Sequence, residues 1–93
     1  MQKGKFINYL SSEKRFSIHT ITSYTNDISQ FLLFLSKEYA IDNNPSEVNF
    51  QIIRAWIANL LEKGVLPRSV NRKISTLRTY FKFLIREGVV NES

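Results

Sequence analysis

Ninety-three residues are enough for one buried core and not for two, and 43% hydrophobic and 13% aromatic residues with 3 Gly and 2 Pro exclude a disordered chain. Cys is absent, which removes disulfides and Cys-based zinc sites; no apolar run reaches membrane-spanning length, and residues 1–5 lack a signal-peptide core. The missing apolar run and signal core lead to an expected soluble, cytoplasmic protein, the low Gly and Pro content to an all-α domain, and the formal net charge of +5 to polyanionic partners.

Four helices follow from hydrophobic periodicity. The first covers about residues 3–14, with Phe6, Ile7 and Leu10 inward. Ser17 is placed to cap the second, because its hydroxyl can accept from amides of the next turn. That helix runs over roughly residues 18–38 and buries Ile21, Tyr24, Ile28, Phe31, Leu32 and Leu35. Its other side shows His19, Thr22, Ser23, Asn26 and Gln30, a polar face almost free of charge. Short hydrogen-bonding side chains of this kind let a second polar surface approach closely, whereas a purely solubilising face is usually laced with Glu and Lys.

Residues 40–48 form a connection around the cluster Asp42-Asn43-Asn44-Pro45. Asn49 is positioned to cap a third helix whose core side is Ile53, Trp56, Ile57, Leu60 and Leu61, and Gly64 stops it. Pro67 opens the fourth helix, where a missing amide costs nothing. Val70, Ile74, Leu77, Phe81, Leu84 and Ile85 form its apolar stripe, with Phe83 leaning toward the polar side, and Gly88 ends it. Arg68, Arg72, Ser75, Thr76, Thr79, Lys82 and Arg86 occupy the opposite half. Residues 63–86 carry seven of the thirteen basic residues and no carboxylate. Arg and Lys suit phosphates and guanine edges, and hydroxyls fix register on a nucleic-acid backbone. An ordinary solvated helix face explains the same pattern. Residues 89–93 read as a tail without a core of its own.

Catalytic and cofactor sites find no support. A lone His19 has no second ligand at metal spacing, no phosphate-cradling Gly motif occurs, and the carboxylates are scattered, so neither metal nor cofactor is expected. The tyrosines lack surrounding Arg and His that would mark a nucleophile. One outward aromatic is too little for single-strand stacking, which leaves duplex DNA as the better partner.

Several motifs stand in order along nearly the whole chain: Phe6 to Leu10; Ser17-Ile18-His19-Thr20; Tyr24, Asp27, Ile28, Phe31, Leu32, Phe34 and Leu35; Ile57, Leu60 and Gly64; Pro67-Arg68-Ser69-Val70-Asn71-Arg72-Lys73-Ile74-Ser75-Thr76-Leu77-Arg78; and Tyr80-Phe81-Phe83-Leu84 with Arg86-Glu87-Gly88. Together they resemble the N-terminal core-binding domain of tyrosine recombinases, of Xer type or of phage and conjugative-transposon integrases. Ile18 departs from the Pro that many relatives carry there. The resemblance implies a four-helix SAM-like bundle of two crossed hairpins over residues 1–88, with residues 89–93 beginning a linker. It implies half of a clamp whose second and fourth helices meet the major groove during DNA integration or recombination. Other recombinase protomers would join it, and the catalytic half would lie elsewhere, so this fragment would not cleave DNA by itself.

Carried over by position, the implied contacts are His19, Thr20, Thr22 and Ser23, with Arg68, Ser69, Arg72, Thr76 and Thr79. Periodicity adds Asn26, and Arg72 is the favoured base-edge contact. Lys73 and Arg78, on the flanks, read as solvated. A basic helical protein–protein interaction module shares the fold and the charge and stays open as the alternative.

Overall fold

The structure, a computed structural model, describes residues 2–42 and 44–91. Four α-helices account for most of them: α1 (Lys3–Ser12), α2 (Ile18–Tyr39), α3 (Phe50–Glu62) and α4 (Pro67–Arg86). A single 3-10 turn, Pro45–Glu47, interrupts the α2–α3 connection. Among the described residues there is no strand, and the bundle is all-α and SAM-like.

Local chemistry sets the starts. Ser17 Oγ accepts from the Thr20 amide at 3.2 Å, and Asn49 Oδ1 accepts from the Ile52 amide at 2.9 Å. Each satisfies an amide that the helix leaves without an internal partner. Pro67 begins α4 as expected.

The ends share one device. In each a left-handed residue (Arg15, Ala40, Gly64 or Gly88) precedes an apolar one (Phe16, Ile41, Val65 or Val89). The apolar residue's amide returns to a buried leucine carbonyl: Phe16 to Leu10 at 3.1 Å, Ile41 to Leu35 at 3.1 Å, Val65 to Leu60 at 3.0 Å, and Val89 to Leu84 at 2.9 Å. This Schellman-like closure satisfies last-turn carbonyls and folds an apolar side chain back over the core. It also ends α1 at Ser12, two residues before the periodicity stops. Ser11 and Ser12 help by donating to the Asn8 carbonyl.

Packing runs α1 on α2, α2 on α4 and α3 on α4. Phe6, Leu10, Ile28, Phe31, Leu35, Trp56, Leu77, Tyr80 and Leu84 make the centre. Phe6 meets Tyr80 edge-on at 5.0 Å, and Phe31 lies 5.0 Å from Trp56.

Four expectations need correction. Phe83 does not lean outward; it is buried, 4.9 Å from Tyr9 and 5.6 Å from Phe6. α4 has two covered sides rather than one stripe: Ile74, Leu77 and Phe81 line a groove with Ile53 of α3, while Lys73 and Thr76 bond Asp27 of α2 and Tyr80 and Phe83 meet Phe6 of α1. Leu61 is exposed and Ile52 is buried in its place, a shift of the α3 core side. The tail is packed as far as it is described, since Val90 is 7% exposed and joins the core; Glu92 and Ser93 lie outside the described residues.

Candidate nucleic-acid interface

Asp27 stands in the inward half of α2, between Tyr24, Ile28 and Phe31, and is 0% exposed. A carboxylate there is unstable unless cations and donors meet it, and α4 supplies them. Arg72 approaches side-on, Nε to Oδ2 at 3.1 Å and Nη2 to Oδ1 at 2.7 Å. Lys73 Nζ donates to Oδ1 at 2.8 Å and to Gln30 Oε1 at 2.7 Å, and Thr76 Oγ1 donates to Oδ2 at 2.8 Å. Burial alone pushes the Asp27 carboxyl up, but bonds from Arg72, Lys73 and Thr76 outweigh it and hold the group below its ordinary 3.8. The same pairing raises the Arg72 guanidinium.

This seam fixes how the polar face of α2 lies relative to α4. Asp27 and Gln30 both bond α4, so this edge of α2 borders it. Ser23 is one turn before Asp27 and His19 two turns before, about 12 Å along the axis. The 3.6-residue period rotates each step outward, which fits a half-buried Ser23 and an exposed His19.

Placement of the expected contacts is uneven. His19, Thr22, Asn26, Arg68 and Arg72 are exposed; Thr20, Ser23, Ser69 and Thr79 are half-buried. Thr76 is corrected: at 0% exposure, bonded to Asp27, it belongs to the interior. Thr22 and Thr79 direct their hydroxyl protons to the Ile18 and Ser75 carbonyls at 2.9 and 3.0 Å, which leaves each only lone pairs to offer. Arg72 keeps 43% of its side chain exposed. With Nε and Nη2 committed to Asp27, Nη1 and the second Nη2 proton remain for another partner.

Charge on α4 is divided between inward and outward use. Lys73 is buried, and Arg86 turns to Glu13 at 2.8 Å and to the Tyr9 ring at 5.2 Å. Arg68, Arg78 and Lys82 make no ion pair among the described residues. Arg68, Asn71, Arg72, Ser75, Arg78 and Lys82 follow steps of three and four and are all exposed. Arg78, assigned to a flank by the single-stripe wheel, therefore lies on the outward face.

Residues 4–88 match the sequence profile of the phage integrase N-terminal SAM-like domain. The chain belongs to that family. It is 39% identical to Tyrosine recombinase XerC of Listeria innocua serovar 6a over 89 residues, 96% of this chain and 29% of that protein. Tyrosine recombinase XerC of Listeria welshimeri serovar 6b is 42% identical over 96 residues, 99% of this chain and 31% of that protein. The Bacillus subtilis (strain 168) XerC is 36% identical over 88 residues, 95% of this chain and 28% of that protein. This integrase-type domain thus spans about three-tenths of the length of these relatives. No solved structure matches it. None of its helices is long and apolar enough to cross a membrane, among the described residues.

Proposed function

We propose that this phage-integrase-type domain grips duplex DNA at the core site of a tyrosine recombinase, in DNA integration or recombination. Strand cleavage would belong to another part of the parent polypeptide, reached through a linker beyond Val90, and further protomers would complete the assembly on DNA. The observation that carries this is the Asp27 seam, which ties a nearly uncharged polar edge of α2 to a face of α4 bearing Arg68, Arg72, Arg78 and Lys82. Uncharged donors suit close approach to base edges, and cations suit phosphates. The contact set is His19, Thr20, Ser23, Asn26, Arg68, Ser69 and Arg72, with Thr22 and Thr79 as acceptor-side neighbours; Arg78 and Lys82 join it on exposure.

A lone module of this size buries at most about 600–1,000 Å² of its own surface on DNA. Four outward cations give log K a slope against log salt of roughly −3 to −4. Fluorescence anisotropy on a duplex at two salt concentrations checks this: micromolar or weaker binding that steepens as salt falls is expected. Arg68→Ala should weaken it and flatten the slope by about one, while Lys37→Ala, on the C-terminal half of α2, should change little. Salt-independent binding, or none at low salt, rules the interface out.

One observation favours the protein–protein alternative. A groove of about 610 Å³ between α3 and α4 is floored by Ile53, Ile74, Leu77, Phe81 and Ile85 and rimmed by Arg78 and Lys82. If the basic rim serves an acidic protein instead, duplex and scrambled DNA will compete with equal, weak effect.

A further inference from the structure

We propose that Asp27 is a positioning residue for DNA recognition: it orients the Arg72 guanidinium without cancelling its charge, so that one edge of that group is presented ready-made to DNA. The proposal rests on the DNA-binding reading above and goes beyond it by assigning a buried carboxylate a part in recognition.

Charge balance is the first ground. Asp27 carries one negative charge, and Lys73, 5% exposed and 2.8 Å away, already supplies one positive charge. Arg72 is thus a second cation on a carboxylate that is neutralised without it, and its positive charge remains in surplus at the surface. A surplus cation attracts phosphate or a guanine edge; one paired alone with a carboxylate would present a neutral unit.

Saturation is the second. Asp27 has four acceptor positions, and four donors fill them: Arg72 Nη2 and Lys73 Nζ on Oδ1, Arg72 Nε and Thr76 Oγ1 on Oδ2. The carboxylate cannot turn without losing a bond. A side-on bidentate pair fixes the guanidinium plane as well as its position. The end-on edge, Nη1 with the outer Nη2 proton, is left able to span two acceptors. Holding a rotamer-rich Arg in its binding geometry beforehand removes an ordering cost at the moment of contact.

The opposite role is chemically possible and gives the opposite sign: a carboxylate that merely parks Arg72 would compete with DNA, and its removal would tighten binding. Wild type, Asp27→Asn, Arg72→Ala and the double variant are compared by anisotropy. The probes are a duplex selected from a random library by the wild-type domain and a scrambled duplex of equal composition. Asp27→Asn is expected to lose about tenfold on the selected duplex and less than twofold on the scrambled one, with helicity by circular dichroism unchanged. The double variant should bind no worse than Arg72→Ala alone. Equal or tighter binding by Asp27→Asn, or losses that add in full, overturns the proposal.

If Asp27→Asn does not fold, the wild-type Arg72 Nε–H resonance decides, assigned with Arg72→Lys. It should stay protected from solvent exchange on the selected duplex; exchange as fast as that of Arg68 overturns the positioning role. Failure of wild type to bind any duplex at low salt would instead remove the DNA-binding reading itself.

Discussion

Asp27 shows how one residue can set both stability and surface chemistry. Its folded carboxyl titrates below the ordinary 3.8, so folding favours the ionised form. The stability this adds is present in full above 3.8 and is lost as pH falls through the lower folded value. Thermal unfolding between pH 6 and pH 2 should show a drop in midpoint beginning near pH 4 that Asp27→Asn lacks; the same acid drop in both proteins would show that other carboxylates cause it. The sequence carried a sign of this that periodicity alone passes over. A carboxylate flanked by Tyr24, Ile28 and Phe31 in an apolar stripe, facing a helix with six cations and no carboxylate, has to be paired across the interface. Thr76 and Phe83 were assigned outward for the same reason: a wheel with one buried stripe has no place for a second covered side. Arg72 was legible as a surface cation, but its Asp27 anchor, 45 residues away in the chain, was not.

At the level of elements, what is local was readable. Ser17, Asn49, Pro67, Gly64 and Gly88 mark starts and stops because caps and left-handed glycines act within one turn. The closures at Arg15 and Ala40 went unread, since neither residue type favours positive φ; the helices demand it so that Phe16 and Ile41 can fold onto Leu10 and Leu35. A left-handed L-residue carries a steric cost of about 1–2 kcal/mol that Gly escapes. Part of the gain is offset because Gly also frees the unfolded chain. Ala40→Gly, at an exposed position with φ 54°, should therefore stabilise the domain by about 0.5–1 kcal/mol and raise the unfolding midpoint by a few degrees. Calorimetry checks this, and a lowered midpoint would mean that Ala40 is not held left-handed.

On the scale of the whole molecule, α4 is the shared element: α3 packs on one side, α2 and α1 on another, and the remaining strip carries the outward cations. The four-helix class followed from periodicity, whereas the way α2 sits against α4 needed coordinates, because only the Asp27, Gln30, Arg72 and Lys73 contacts fix it. Val90 extends the core beyond the last helix, so the domain's packed end lies past Gly88. The central claim is that the outward edges of α2 and α4 form one DNA-facing surface. The most direct measurement is a titration of the ¹⁵N-labelled domain with the selected duplex, following amide shifts. Coincident changes at His19, Ser23 and Asn26 and at Arg68, Arg72 and Ser75, with Leu61 and Asn8 still, are the predicted result. Changes confined to one of the two helices, or centred on α3, would contradict it.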